Sequence, residues 1–96
     1  MRPYEVMAIL DPKLEDAETE NVIERLRQVV TDRGGEVTSL DKWGRRRLAY
    51  EIKGNQEAYY LVMRFKAPVE ATRELERVMR ITDAVLRYLL VRLDED

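Results

Sequence analysis

The 96-residue sequence predicts an α+β fold in which four antiparallel strands form one sheet and two helices cover a single face of it. Three observations carry that prediction. Four segments are apolar-rich with strand-like spacing, two others repeat their apolar residues with a helical period, and the six follow the order β-α-β-β-α-β. Such an order is two βαβ halves joined by a hairpin, the ferredoxin-like or split βαβ plan. Right-handed crossovers then put both helices on one side, make the first and third strands central, and leave the other sheet face open.

The first strand, 4–10, is an apolar-rich run ended by the turn signal Asp11-Pro12. A helix over 16–33 follows, since Val22, Ile23, Leu26, Val29 and Val30 share one helical face and Gly34-Gly35 stops it as a C-cap. The second strand, 36–53, is long and carries Val37, Leu40, Leu48, Tyr50 and Ile52, with Gly44 as a bulge or bend and Leu48 and Ile52 expected in the core. Gly54-Asn55-Gln56 is expected to turn the chain into a third strand at 58–66. Pro68 opens a shorter helix with Leu75, Val78 and Met79 on one face, and 85–92 is the last strand. One domain over 1–93 accommodates all six, with 94–96 as a short acidic tail.

Alternation along the third strand places Tyr59, Leu61, Met63 and Phe65 beneath the helices, and Tyr60, Val62, Arg64 and Lys66 on the open face. In the first strand Val6, Ala8 and Leu10 point inward, which exposes Met7 and Ile9. The fourth strand is apolar on both sides and its phase stays open. An uncovered, partly apolar sheet calls for a partner, unless long Arg and Lys stems cover it.

Composition removes most enzymes. The chain has no His and no Cys, so the commonest general base, the thiolate nucleophile, disulfides and the usual zinc sites are all missing. Glu15, Asp16, Glu18, Glu20 and Glu24 fall on what reads as the wet face of a helix. Gly34-Gly35 follows a helix instead of leading into one, the wrong order for a phosphate loop. No catalytic group, metal or cofactor is expected. No apolar run is long enough to span a bilayer and no secretory signal is evident, so a cytosolic, membrane-free protein is the expectation.

Charge is unevenly placed. Seventeen basic and nineteen acidic side chains give a net charge of −2, yet the middle of the chain, WGRRRLAYEIK, is strongly basic. Arg45, Arg46, Arg47 and Lys53, joined across the hairpin by Arg64 and Lys66, form a candidate phosphate-binding patch. The alternative is that the arginines protect an exposed edge strand from pairing with other chains. Arg46 and Arg47 face opposite ways if the strand is regular. An RNA recognition motif does not fit, because the third strand lacks that motif's basic start, glycine and closing aromatic, and Tyr60 alone is a poor stacking platform.

Three stretches, MRPYEVMAILDP, WGRRRLAYEIK and ITDAVLRYLLV, resemble the family of the bacterial sixth protein of the small ribosomal subunit. Gly44, Arg46, Leu48, Ala49, Tyr50, Ile52 and Lys53 fall at the spacing of the family's G-x-basic-x-L-A-Y-x-I signature. The resemblance implies a ribosomal constituent that binds small-subunit ribosomal RNA in the platform and pairs with the subunit's eighteenth protein, monomeric alone and heterodimeric in the assembly. On it, Arg2, Arg45, Arg46, Arg47, Lys53, Arg87 and Arg92 are the expected RNA-binding residues. Trp43, Tyr50, Tyr60, Val62 and Arg64 are the expected partner-binding residues, with Tyr50 open between that role and the edge of the core. Pro3 departs from the basic residue of some relatives. The competing expectations are a small-molecule sensor or dimeric-barrel enzyme, since this fold hosts both, and a homodimer joined through the open sheet.

Overall fold

Strands β1 (Arg2–Leu10) and β3 (Asn55–Ala67) pair antiparallel at the centre of the sheet, and their alternate residues supply one wall of the core. Tyr4, Val6, Ala8 and Leu10 on β1 face inward with Leu61, Met63, Phe65 and Ala67 on β3. The helices α1 (Asp16–Asp32) and α2 (Val69–Ile81) close this wall with Ile23, Leu26 and Val30 from the first and Ala71, Leu75, Val78 and Met79 from the second. Each large buried side chain contributes about 1.5–3 kcal/mol. Tyr4 and Phe65, partners in the β1/β3 register, stack with centroids 5.5 Å apart. With β2 (Glu36–Ile52) and β4 (Val85–Arg92) at the edges, the strand order is β2-β3-β1-β4, the ferredoxin-like arrangement expected from the sequence. The computed structural model describes residues 1–93; the acidic tail expected at 94–96 lies outside the described residues.

Local chemistry sets the element ends. The Glu15 backbone N–H donates to Glu18 Oε1 at 3.0 Å, and the acidic Asp16 and Glu18 favour the positive end of α1. At the other end, the Gly35 N–H donates to the Val30 carbonyl at 2.9 Å and the Gly34 N–H to Thr31 at 3.1 Å. With Gly34 at φ +83°, these bonds make a Schellman cap.

The hairpin turns earlier than the sequence suggests. Ile52 pairs with Asn55, and Lys53 (φ 49°) and Gly54 (φ 82°) form the two-residue turn. Positive φ at both central positions is what a type I′ turn needs, and its twist matches the flanking strands. Asn55 is therefore the buried first residue of β3, its amide donating to the Ile52 and Lys53 carbonyls at 3.3 Å each. Of the expected core pair in β2, Ile52 is buried while Leu48 is only half-covered, because β2 is an edge strand and Leu48 falls where its register with β3 is interrupted, between Arg47 and Ile52.

The phase of β4 follows from its register with β1. Met7 faces Leu89, Glu5 faces Val91 and Ile9 faces Arg87, so these β4 residues share the open face while Tyr88 and Leu90 pack on the core. A register shift at Ile9/Leu10 brings Leu10 opposite Val85.

Candidate RNA and partner surfaces

The uncovered sheet face is a grid of three rows. Ser39, Arg64, Glu5 and Val91 form one; Asp41, Val62, Met7 and Leu89 the second; Tyr60, Ile9 and Arg87, with Trp43 beside the bulge, the third. Four of the five expected partner-binding residues, Trp43, Tyr60, Val62 and Arg64, thus meet on one surface. The middle of the grid is apolar, and Leu89 on it is 62% exposed. Arg64 is held by Glu5, its Nε donating to Oε2 at 2.8 Å, which makes the first row an internally neutralised strip. A cavity of about 290 Å³ opens here, lined by Glu5, Met7, Asp41, Trp43, Val62 and Arg64 among others.

Trp43 is fixed in place by three neighbours. Its ring stacks on Tyr60 at 6.1 Å and 12°, its Nε1–H donates to Asp41 Oδ2 at 3.0 Å, and the Arg46 guanidinium lies 6.0 Å from its centroid. Arg46 Nε also donates to the Trp43 carbonyl at 3.3 Å. Gly44, at φ +79° where the β2/β3 register shifts, is the bulge that permits this arrangement, since only Gly adopts that backbone without strain.

The three arginines divide between two faces. Arg45, Arg46 and Arg47 pair with Tyr59, Ala58 and Glu57 in unbroken register, so Arg46 points to the open side and its neighbours to the helix side. Arg45 reaches the loop after β1, donating from Nε to the Pro12 carbonyl and from Nη2 to the Leu14 carbonyl, both at 3.3 Å. Lys53 sits at the turn. Arg87 on β4 donates to the Tyr50 hydroxyl at 2.7 Å, so Tyr50, 62% exposed and not at the core edge, meets the third row of the grid at Arg87 and not at the Trp43 cluster.

The expected basic set does not form one patch. Arg45, Arg46, Arg47, Lys53 and Arg87 lie toward the hairpin end, whereas Arg2 and Arg92 lie at the opposite end of the sheet, as does Lys66 opposite Glu36. Ile9 lies seven steps along β1 from Arg2, about 23 Å at ~3.3 Å per residue.

Three carboxylates elsewhere are engaged in ion pairs. Glu20 holds Lys42 at 2.7 Å, and this hydrogen bond raises the Lys42 pKa. Glu24 binds Arg27, and Glu74 binds Arg77 at 2.8 Å and Arg33 at 3.5 Å. The hydrogen bonds from Arg27 and Arg77 chiefly lower the pKa values of Glu24 and Glu74. No ion pair reaches Arg45, Arg46 or Arg47 among the described residues, and of the three only Arg47 has a carboxylate, Glu57, opposite it in the register. No group of three or more His, Cys, Asp or Glu suited to a metal occurs among the described residues, and no helix there is long and apolar enough to cross a membrane.

Glu5 and Asp41 are not among the residues the sequence singles out, although the alternation that turns Val6 and Ala8 inward puts Glu5 on the same face as Arg64. Arg80, which joins Lys53 and Arg87 around a second cavity, had no comparable signal, because nothing local relates the end of α2 to the hairpin turn.

Comparison with known proteins agrees with this architecture. The family model described as ribosomal protein S6 matches residues 3–92. The chain is 53% identical over 94 residues to the small ribosomal subunit protein bS6 of Desulforudis audaxviator, covering 98% of this chain and all of that one. It is 50% identical over 95 residues to the protein of that name from Caldanaerobacter subterraneus, covering 99% and 100%. The crystal structure of 30S ribosomal protein S6 from Thermotoga maritima superposes with a TM-score of 0.91 at 34% identity, covering 95% of this chain and 86% of that one. These relatives are ribosomal constituents and not enzymes, in line with the chemistry missing from the sequence, and they place the chain at the cytoplasmic ribosome. The fold, the hairpin signature and the full-length matches lead to one conclusion: the chain belongs to the ribosomal protein S6 family of the small ribosomal subunit.

Proposed function

We propose that the protein binds small-subunit ribosomal RNA through the basic hairpin end and pairs with the eighteenth protein of the small subunit through the uncovered sheet face. The carrying observation is the adjacency of the two surfaces at Trp43 and Arg46: an apolar grid lacking a cover meets arginines that no ion pair reaches among the described residues. Exposed Leu89 and Val91 favour burial, and the Glu5–Arg64 strip gives a partner polar groups to register against. Guanidinium groups outside ion pairs favour phosphate. In this reading Arg46 and Trp43 belong to both contacts, Arg45, Arg47, Lys53 and Arg87 to the RNA side, and Arg2 and Arg92 to a second RNA contact at the far end. The isolated chain is a monomer and the assembly a heterodimer on RNA.

The test is a titration of a small-subunit RNA fragment with and without the partner protein. Each ligand should strengthen the other, since coupling is reciprocal. Equal RNA affinity with and without partner overturns the shared surface. A stable homodimer by light scattering that persists when the partner is added favours self-association through the sheet instead.

A further inference from the structure

Lys53 in the hairpin turn, Arg80 in the last turn of α2 and Arg87 on β4 come from three separate elements and line one cavity of about 280 Å³, together with Met79, Val85 and Tyr88. Two of the three cations are anchored by neutral groups. Arg80 Nη1 donates to the Tyr88 hydroxyl at 3.3 Å, and Arg87 Nη1 to the Tyr50 hydroxyl at 2.7 Å with its guanidinium 5.8 Å from that ring. A phenol oxygen orients a guanidinium without cancelling its charge. No carboxylate lies within ion-pair distance of Lys53, Arg80 or Arg87 among the described residues. Glu76 is one step removed, accepting from the Tyr88 hydroxyl at 3.4 Å.

Arg80 also suits the negative end of α2, which explains that cation but not its place on one cavity with Lys53 and Arg87. At roughly 30 Å³ per water, the volume admits a phosphate with residual hydration. Guanidinium groups present planar N–H pairs that match phosphate oxygens. Resting on the RNA reading above, we propose that this cavity holds a backbone phosphate of the bound RNA, with Arg80 as a contact residue alongside Lys53 and Arg87.

Two measurements test it. In the first, inorganic phosphate is titrated against the chain at constant ionic strength, following backbone amide shifts. Saturable shifts at Lys53, Arg80 and Arg87 that vanish in Arg80→Gln are expected; no shifts, or the same shifts in the variant, overturn the site. In the second, RNA assembly with the partner protein is measured across salt for wild type, Arg80→Gln, Arg80→Lys and Arg73→Gln, the last an exposed charge on α2 that does not line the cavity. Arg80→Gln should weaken assembly roughly three- to tenfold and lower the salt slope by about 1, while Arg80→Lys keeps the slope and Arg73→Gln changes neither. Equal losses in Arg80→Gln and Arg73→Gln reduce the effect to general charge and overturn the assignment. Wild type that takes up phosphate at the cavity but binds no RNA with the partner present overturns the RNA reading, and with it the RNA occupant.

Discussion

Arg87 and Tyr50 stand 37 residues apart in sequence and are joined by a 2.7 Å hydrogen bond. The β1/β3 register ends at Leu10 and Tyr59, so the hairpin continues beyond the end of β1 and bends far enough to reach β4. The contact connects the two edge strands of the sheet without passing through its centre.

Replacing Tyr50 by Phe removes the acceptor and keeps the ring. Global stability, read by chemical denaturation, should change by less than about 1 kcal/mol because the site is exposed. Amide exchange near the turn should nonetheless quicken relative to the core of β3. Unchanged exchange would mean that the hairpin holds its bend without Arg87.

The division of the three arginines predicts three different phenotypes. Arg45→Ala loses two carbonyl contacts as well as an RNA-side charge, so it should cost up to about 1 kcal/mol and also flatten the RNA salt slope by about 0.9. Arg47→Ala should leave stability unaltered and flatten that slope by about 0.9, one duplex-like phosphate. Arg46→Ala uncovers Trp43 and should weaken partner binding first, measured by calorimetry without RNA. Three identical effects on the salt slope would show that facing does not matter.

Gly34 and Gly35 should fail for different reasons when replaced by Ala. Gly34 has open space around it but a left-handed backbone, and its replacement should cost about 1 kcal/mol. A Cβ on Gly35 would lie 2.7 Å from Val30 Cγ1 and 2.9 Å from Ala67 Cβ, both in the core, so about 1–3 kcal/mol is expected. Thermal unfolding of the two variants gives the order.

Acid should loosen the junction of the two helices. The hydrogen bond from Arg77, and after it the charges of Arg77 and Arg33, lower the Glu74 pKa below 4.5. A depressed carboxylate adds stability that is complete above its unfolded pKa and disappears as pH falls through the folded value. Wild type should therefore lose stability below about pH 4.5 more steeply than Glu74→Gln in denaturation series. Parallel curves would remove Glu74 from the acid response.

Element types and order were legible because each depends on local periodicity. The helical face from Val22 to Val30 and the alternation from Tyr59 to Phe65 both mark buried surfaces within a few residues. The hairpin turn was misplaced because Asn55 looks like a turn former, yet its amide serves better inside the strand, capping two carbonyls of the turn before it. The β4 phase was hidden because apolar residues occupy both of its sides, and only pairing with β1 selects the buried set. The candidate surfaces were half-legible. Parity grouped Tyr60, Val62 and Arg64 and turned Arg46 and Arg47 opposite ways, whereas which of the two shares the open face with Trp43 depends on the bulge at Gly44 and the register beyond it. The Arg80 cavity depends on three distant elements and left no pattern in the chain.

The pairing of β1 with β4 has a consequence for synthesis. Tyr4 lies opposite Arg92, so the inner strand β1 gains its second neighbour only after every other described element has been produced. Closing the loop from Tyr4 to Arg92 costs about 4 kcal/mol of chain entropy by the (3/2)RT ln n relation, a cost met before any of the β1/β4 contacts form. The β2/β3 hairpin, whose ends are adjacent in sequence, carries no such delay. A nascent chain therefore leaves the exit tunnel with its hairpin ready to zip and one side of β1 unpaired, and addition of β4 comes last.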